Sequence, residues 1–227
     1  LKYRSKLDLL HPEAKIVFKR TDPFYVVAVR PFLKDDEYSF LMESLPPLEI
    51  MSYVEAVGHK YCLAEEHANF EQFILNNNRL FQCYRWLKSD KMEETVNRFF
   101  LDLSKYRVRK MKFEFSALPP EGGHLTPHPA TTKKIVTGVL YLASDDWRQE
   151  WGGQFSMVRP LVAIDDTGEY PRVAFDEVEL IDRAPFEPNT MVFMLRSDIS
   201  YHCVYPMTAP EGRWRNSVTI NLIGKRL

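Results

Sequence analysis

The chain carries six histidines, at positions 11, 59, 67, 124, 128 and 202, few enough to weigh one by one. His128 follows a proline at the mouth of one strand candidate, and His202 lies between two others. Imidazoles from different strands of one sandwich can converge on a metal ion, and iron, copper, nickel and zinc all accept that ligand. Arg215 opens the last strand candidate. A guanidinium aimed into a barrel takes a carboxylate bidentately. Thr137 and Tyr141 are four residues apart, which puts both hydroxyls on one face of a regular strand. These groups describe a metal beside a dicarboxylate pocket. The three cysteines, Cys62, Cys83 and Cys203, have no C-x-x-C spacing. They form neither a disulfide framework nor a thiolate zinc site, and read as small apolar residues in a reducing compartment.

Such a site needs strands to hold it. From Tyr106 onward YRVRKMKFEFSAL alternates as a strand does, and PPEGG (119–123) is a turn. The β-branched run IVTGVLYLA (135–143) reads as a buried strand. Further strands are expected within 152–158, 171–181, 189–195 and 215–223, separated by turn residues, a spacing that means a sandwich or barrel. Upstream, 16–33 reads as short β segments broken by Pro23 and Pro31. Residues 34–45 predict a helix stopped by Pro46-Pro47, and 89–104 a second, capped by Ser89 or Asp90. The stretch 62–88 is ambiguous, with a polar break at Asn76-Asn77-Asn78. One domain over 1–227 is expected: a helical and β N-terminal layer (1–105) against an all-β core (106–227).

The order of motifs in 106–223 resembles the Fe(II)/2-oxoglutarate-dependent oxygenases, in their prolyl-4-hydroxylase-like branch. Gly123-His124-Leu125-Thr126-Pro127-His128 matches the first motif of that family. Thr137, Tyr141, Leu142, Trp147, Gly152 and Gly153 match the middle, and His202, Val204, Pro206, Arg215, Ser217 and Ile220 the end. The resemblance implies a mostly β fold with flanking helices around a double-stranded β-helix, a jelly-roll variant. It implies His128 and His202 as ligands of Fe(II). It also implies Arg215 as the anchor for the distal carboxylate of 2-oxoglutarate, assisted by Tyr141 and Thr137. O2 and a small-molecule or amino-acid-like substrate are the implied partners.

One member is missing. The family has an acid two residues after the first histidine, and here that position is Ala130; no Asp or Glu occurs from Gly122 through Ser144. Related halogenases have a small residue there, because a carboxylate would fill the halide's position and repel an anion. Halogenation with chloride or bromide at the position opened by Ala130 is therefore slightly favoured. Three alternatives stand beside it: hydroxylation with two protein ligands, a third ligand from His124, and a catalytically silent binding module of the same fold.

Composition narrows the rest. With 30 Lys+Arg against 31 Asp+Glu, the net charge of −1 argues against nucleic acid or an anionic membrane as partner. No apolar run approaches the roughly 18 residues of a membrane-spanning helix. The opening LKYRSKLDLLHPEAKIVF lacks a secretory pattern, so a cytoplasmic location is expected. Arg213 competes with Arg215 as the anchor. His124 is read as turn-flanking or substrate-facing unless it is the third ligand. Lys133 and Lys134 are expected on a solvated loop face, and Trp147 and Trp151 in packing.

Overall fold

Pro-rich breaks and aromatic runs in the first third become short strands followed by helices. The computed structural model describes residues 4–131, 133–164 and 172–227. Strands β1 (Lys15–Arg20) and β2 (Val26–Arg30) precede helix α1 (Asp35–Glu43), which stops before Pro46 as its sequence requires. Short strands β3 (Ser52–Tyr53), β4 (Gly58–His59) and β5 (Tyr61–Ala64) follow, then α2 (Phe70–Leu75), α3 (Asn78–Leu87) and α4 (Asp90–Phe99). The ambiguous stretch thus divides into a strand and two helices. Its polar break is a cap: the Asn77 side chain accepts from the Arg79 and Leu80 amides and starts α3. Ser89 caps α4, but that helix ends several residues before the expected 104. The Asn97 side chain accepts from the Leu103 amide at 2.7 Å and turns the chain away from helical geometry.

The remaining strands are β6 (Tyr106–Leu118), β7 (His124–His128), β8 (Lys134–Leu142), β9 (Phe155–Pro160), β10 (Val178–Ala184), β11 (Thr190–Leu195), β12 (His202–Val204) and β13 (Arg215–Arg226). The strand expected over 171–181 starts later, at Val178, and its first residue, Pro171, lies outside the described residues. Two antiparallel sheets result. The larger runs β1-β2-β11-β8-β13-β6-β5-β3 and the smaller β10-β9-β12-β7-β4. Consecutive strands from β6 to β13 alternate between the two sheets, except that β9 and β10 share the smaller one, the wiring of a jelly roll.

Strand periodicity separates two environments. On β8, Val136, Leu140 and Leu142 face the helices, where they pack with Trp86, Leu87 and Phe113. Burying side chains of this size contributes about 1.5–3 kcal/mol each. Tyr141 and Val139 face the opposite way, into the space between the sheets. The inner faces of β6 and β13 are polar where the helix-facing sides are apolar, and that contrast creates the site.

Candidate active site between the sheets

His128 at the end of β7 is the direct cross-strand partner of His202 on β12. Their ring centroids lie 4.5 Å apart. A register shift in this pairing lies between them and the Leu125–Val204 pair, so β7 carries a bulge that sets the direction of the His128 ring. Nδ1 of His128 bonds the Thr126 carbonyl at 2.6 Å, and Nδ1 of His202 bonds the Ser200 carbonyl at 2.9 Å. A carbonyl only accepts, so each Nδ1 is the protonated nitrogen of a neutral ring and each Nε2 keeps its lone pair. Phe155 stacks on His202 at 5.2 Å. Burial drives the His128 pKa from 6.5 down to about 4, with Lys134 and Lys60 pushing it further the same way. Burial and the neighbouring His128 hold His202 well below its ordinary value. Both imidazoles are therefore neutral near pH 7, with oriented rings, which is the state a metal requires.

The pair lines a cavity of about 230 Å3 between the sheets. Along its wall β13 presents Arg215, Ser217, Thr219 and Asn221, every second residue of the strand. Arg215 is 3% exposed. Its Nε donates to the Gly153 carbonyl at 2.6 Å, and its guanidinium lies over the rings of Tyr141 and Phe186 at 5.2 and 4.9 Å. Thr137 also lines the cavity and donates to the Asn221 side chain at 2.9 Å. Tyr141 is fully buried behind Arg215, where its hydroxyl accepts from the Phe155 amide at 3.2 Å. Arg213 is on the surface and grips Asp146 through two bonds of 3.0 and 2.6 Å, so the inward guanidinium is that of Arg215.

Two cations in the wall escape sequence reading. Lys134 lines the cavity instead of a solvated loop face. The reason is a second bulge: Leu222 pairs with Val136 but Ile223 with Lys134. The extra residue, Ile135, goes to the helix-side core, and Lys134 turns inward. Lys60, between β4 and β5, pairs with Glu114 at 2.5 Å, and Glu114 also accepts from Ser116 at 2.8 Å. Burial pushes the Glu114 carboxyl up, but Lys60, Ser116 and Lys134 outweigh it and hold the group below its ordinary value. Bulges and strand adjacency have no single-residue signature; only the even spacing of Glu114 and Ser116 on β6 hints that they share a face.

His124 is not brought to the pair. Its ring packs against His59 at 6.5 Å and Phe175 at 5.7 Å, and it does not line the cavity. The bulge after Leu125 undoes the same-face relation that four-residue spacing implies. Ala130 is 5% exposed and belongs to an apolar cluster with Tyr141, Phe155 and Phe186. Among the described residues no group of three His, Cys, Asp or Glu side chains is assembled for a metal. The donor set is two neutral imidazoles, which fits a borderline metal such as iron with its other positions filled by non-protein ligands.

No protein-family model matches the sequence. No curated protein matches it either. Solved structures do. A Pseudomonas putida prolyl-4-hydroxylase superposes with a TM-score of 0.54 at 16% identity, covering 88% of this chain and 92% of that one. A Trichoplax adhaerens prolyl hydroxylase, in complex with a hypoxia inducible factor peptide fragment, gives 0.56 at 15%, covering 88% and 83%. The epimerase SnoN, in complex with Fe3+, alpha ketoglutarate and nogalamycin RO, gives 0.56 at 15%, covering 88% and 78%. The chain has the fold of 2-oxoglutarate–iron oxygenases. At this identity the likeness speaks for the fold alone. No described helix is long and apolar enough to cross a membrane.

Proposed function

We propose that this chain is an iron- and 2-oxoglutarate-dependent enzyme that oxidises an unactivated C–H bond of a small-molecule or amino-acid-like substrate. The observation that carries the reading is the pairing of two neutral imidazoles, His128 and His202, in one cavity wall with the buried Arg215. His128 and His202 would hold Fe(II) through Nε2, and Arg215 would hold the distal carboxylate of 2-oxoglutarate, with Thr137 beside it and Tyr141 behind it. Iron with 2-oxoglutarate supplies oxidation by O2 coupled to formation of succinate and CO2. This chain's part is to keep both rings neutral and oriented, to neutralise a buried carboxylate, and to exclude bulk water with Phe155 and Leu125.

Hydroxylation is the reading that the packing of Ala130 supports, since Ala130 belongs to an apolar cluster and is not part of the cavity wall. Halogenation is the second reading. One observation favours it: Glu114, the one carboxylate lining the cavity among the described residues, is already held by Lys60. The experiment is succinate formation from 2-oxoglutarate with Fe(II) and O2 across candidate substrates, followed by product mass with and without chloride or bromide. Gain of oxygen alone at high halide supports hydroxylation, and gain of halogen supports the second reading. Iron binding without succinate under any condition refutes both and leaves a silent binding module.

A further inference from the structure

Among the described residues three cations, Lys60, Lys134 and Arg215, line the cavity against one carboxylate, Glu114. Low-dielectric walls make a surplus of this kind costly unless anions enter. The members are not equivalent. Lys60 is neutralised by Glu114. Arg215 is at the start of β13, where it would meet the cosubstrate's distal carboxylate. Lys134 pairs with Ile223 near the other end of that strand, and its ammonium has no hydrogen bond or ion pair among the described residues. It lines the same cavity as His128 and His202, at the end of β13 away from Arg215. Among the described residues no carboxylate joins that pair in a metal-binding group.

We propose that Lys134, backed by Lys60, forms an anion subsite beside the imidazole pair, distinct from the Arg215 anchor, and that it receives the carboxylate of an acidic substrate. This rests on the oxygenase reading above for the word substrate; the subsite itself rests on the wall. The lysine is a compact charge with three rotatable donors, suited to a carboxylate approaching from the cavity. Asn221 and Thr137 bond one another next to it and leave amide donors of Asn221 for the same group. An inorganic halide could use the same ammonium, so the test separates the two sources.

The experiment is anaerobic titration calorimetry of the protein saturated with Fe(II) and 2-oxoglutarate, with acetate as the carboxylate probe and chloride as the inorganic arm. Acetate is expected to bind without displacement by equal chloride. Lys134→Met should weaken acetate by about 10-fold or more, the loss of one charge-assisted hydrogen bond. Affinity for 2-oxoglutarate should stay within about twofold, as for a separate site. Lys134→Arg, which keeps the charge, should retain acetate. If Lys134→Met does not fold, Lys134→Gln makes the same comparison. The proposal is overturned if acetate does not bind, or if Lys134→Met leaves it unchanged. It is also overturned if chloride competes equally, or if the variant loses 2-oxoglutarate in proportion. Should the protein take no 2-oxoglutarate, the titration is run without it: Lys134-dependent acetate binding then upholds the subsite while the oxygenase reading falls.

Discussion

The Arg215 guanidinium is tied to the Gly153 carbonyl by a 2.6 Å hydrogen bond, which couples the last strand to the two-glycine turn before β9. Gly153 has φ of +91°, and an added Cβ would stand 3.4 Å from Arg215 Cδ and from Phe186. Gly153→Ala should therefore cost about 1–3 kcal/mol of stability and also weaken 2-oxoglutarate. Gly212 is the control: its φ is +79° but nothing lies within 4 Å. Gly212→Ala should lose comparable stability in urea unfolding and leave 2-oxoglutarate binding unchanged. Equal effects of both variants on binding would show that Gly153 acts through stability alone.

Arg215→Met removes the buried guanidinium from the wall. A carboxylate left without its charged partner loses several kcal/mol, so 2-oxoglutarate should bind about 30-fold weaker or worse by calorimetry. Arg213→Met breaks a surface pair with Asp146 and should change that affinity by less than about twofold.

The strands and the linked motifs were legible in the sequence because period-two patterning and turn residues are local. Val136, Leu140 and Leu142 against Val139 and Tyr141 already announce a strand with two different faces. The imidazole pair and the buried arginine follow from the same alternation plus the resemblance. What was not legible depends on bulges. One sends His124 away from the pair, and another turns Lys134 from an expected loop face into the cavity. Lys60 is likewise hidden, because its role arises from adjacency of β5 to β6. Sequence spacing on an unbroken strand cannot register a residue that is looped out of the ladder.

Either imidazole alone is a poor metal site. His128→Ala and His202→Ala should each lower Fe(II) or Co(II) affinity by about 100-fold or more, beyond the loss typical of outer-shell changes. His124→Ala should leave affinity within about threefold, since its ring packs on His59 and Phe175. Equal losses for all three variants in a metal titration would contradict the geometry.

Ala130→Asp inserts a carboxylate into the cluster of Tyr141, Phe155 and Phe186. Without metal the variant should melt lower, by about 2–4 kcal/mol of stability, because the charge is buried without a partner. Adding Co(II) should raise its melting temperature no more than that of the unsubstituted protein, because position 130 belongs to the apolar cluster and not to the cavity wall. A larger rise for the variant would show that position 130 reaches the ion and supplies a third donor.

The Glu114 carboxyl titrates below its ordinary value of 4.5, burial being outweighed by Lys60, Ser116 and Lys134. A carboxylate depressed in the folded state stabilises above its unfolded pKa and stops doing so as pH falls through the folded value. The natural protein should therefore lose part of its stability on acidification below pH 4.5. Glu114→Gln lacks that component and should show a flatter melting profile over the same range. At pH 7 the variant should be less stable by about 1–3 kcal/mol, because Lys60 is left largely buried, with a side chain 14% exposed, facing Lys134 without a counter-charge. Adding Lys60→Met to Glu114→Gln removes the stranded cation and should recover most of that loss. Failure of the double variant to recover would mean that Glu114 stabilises the fold through Ser116 and not through Lys60.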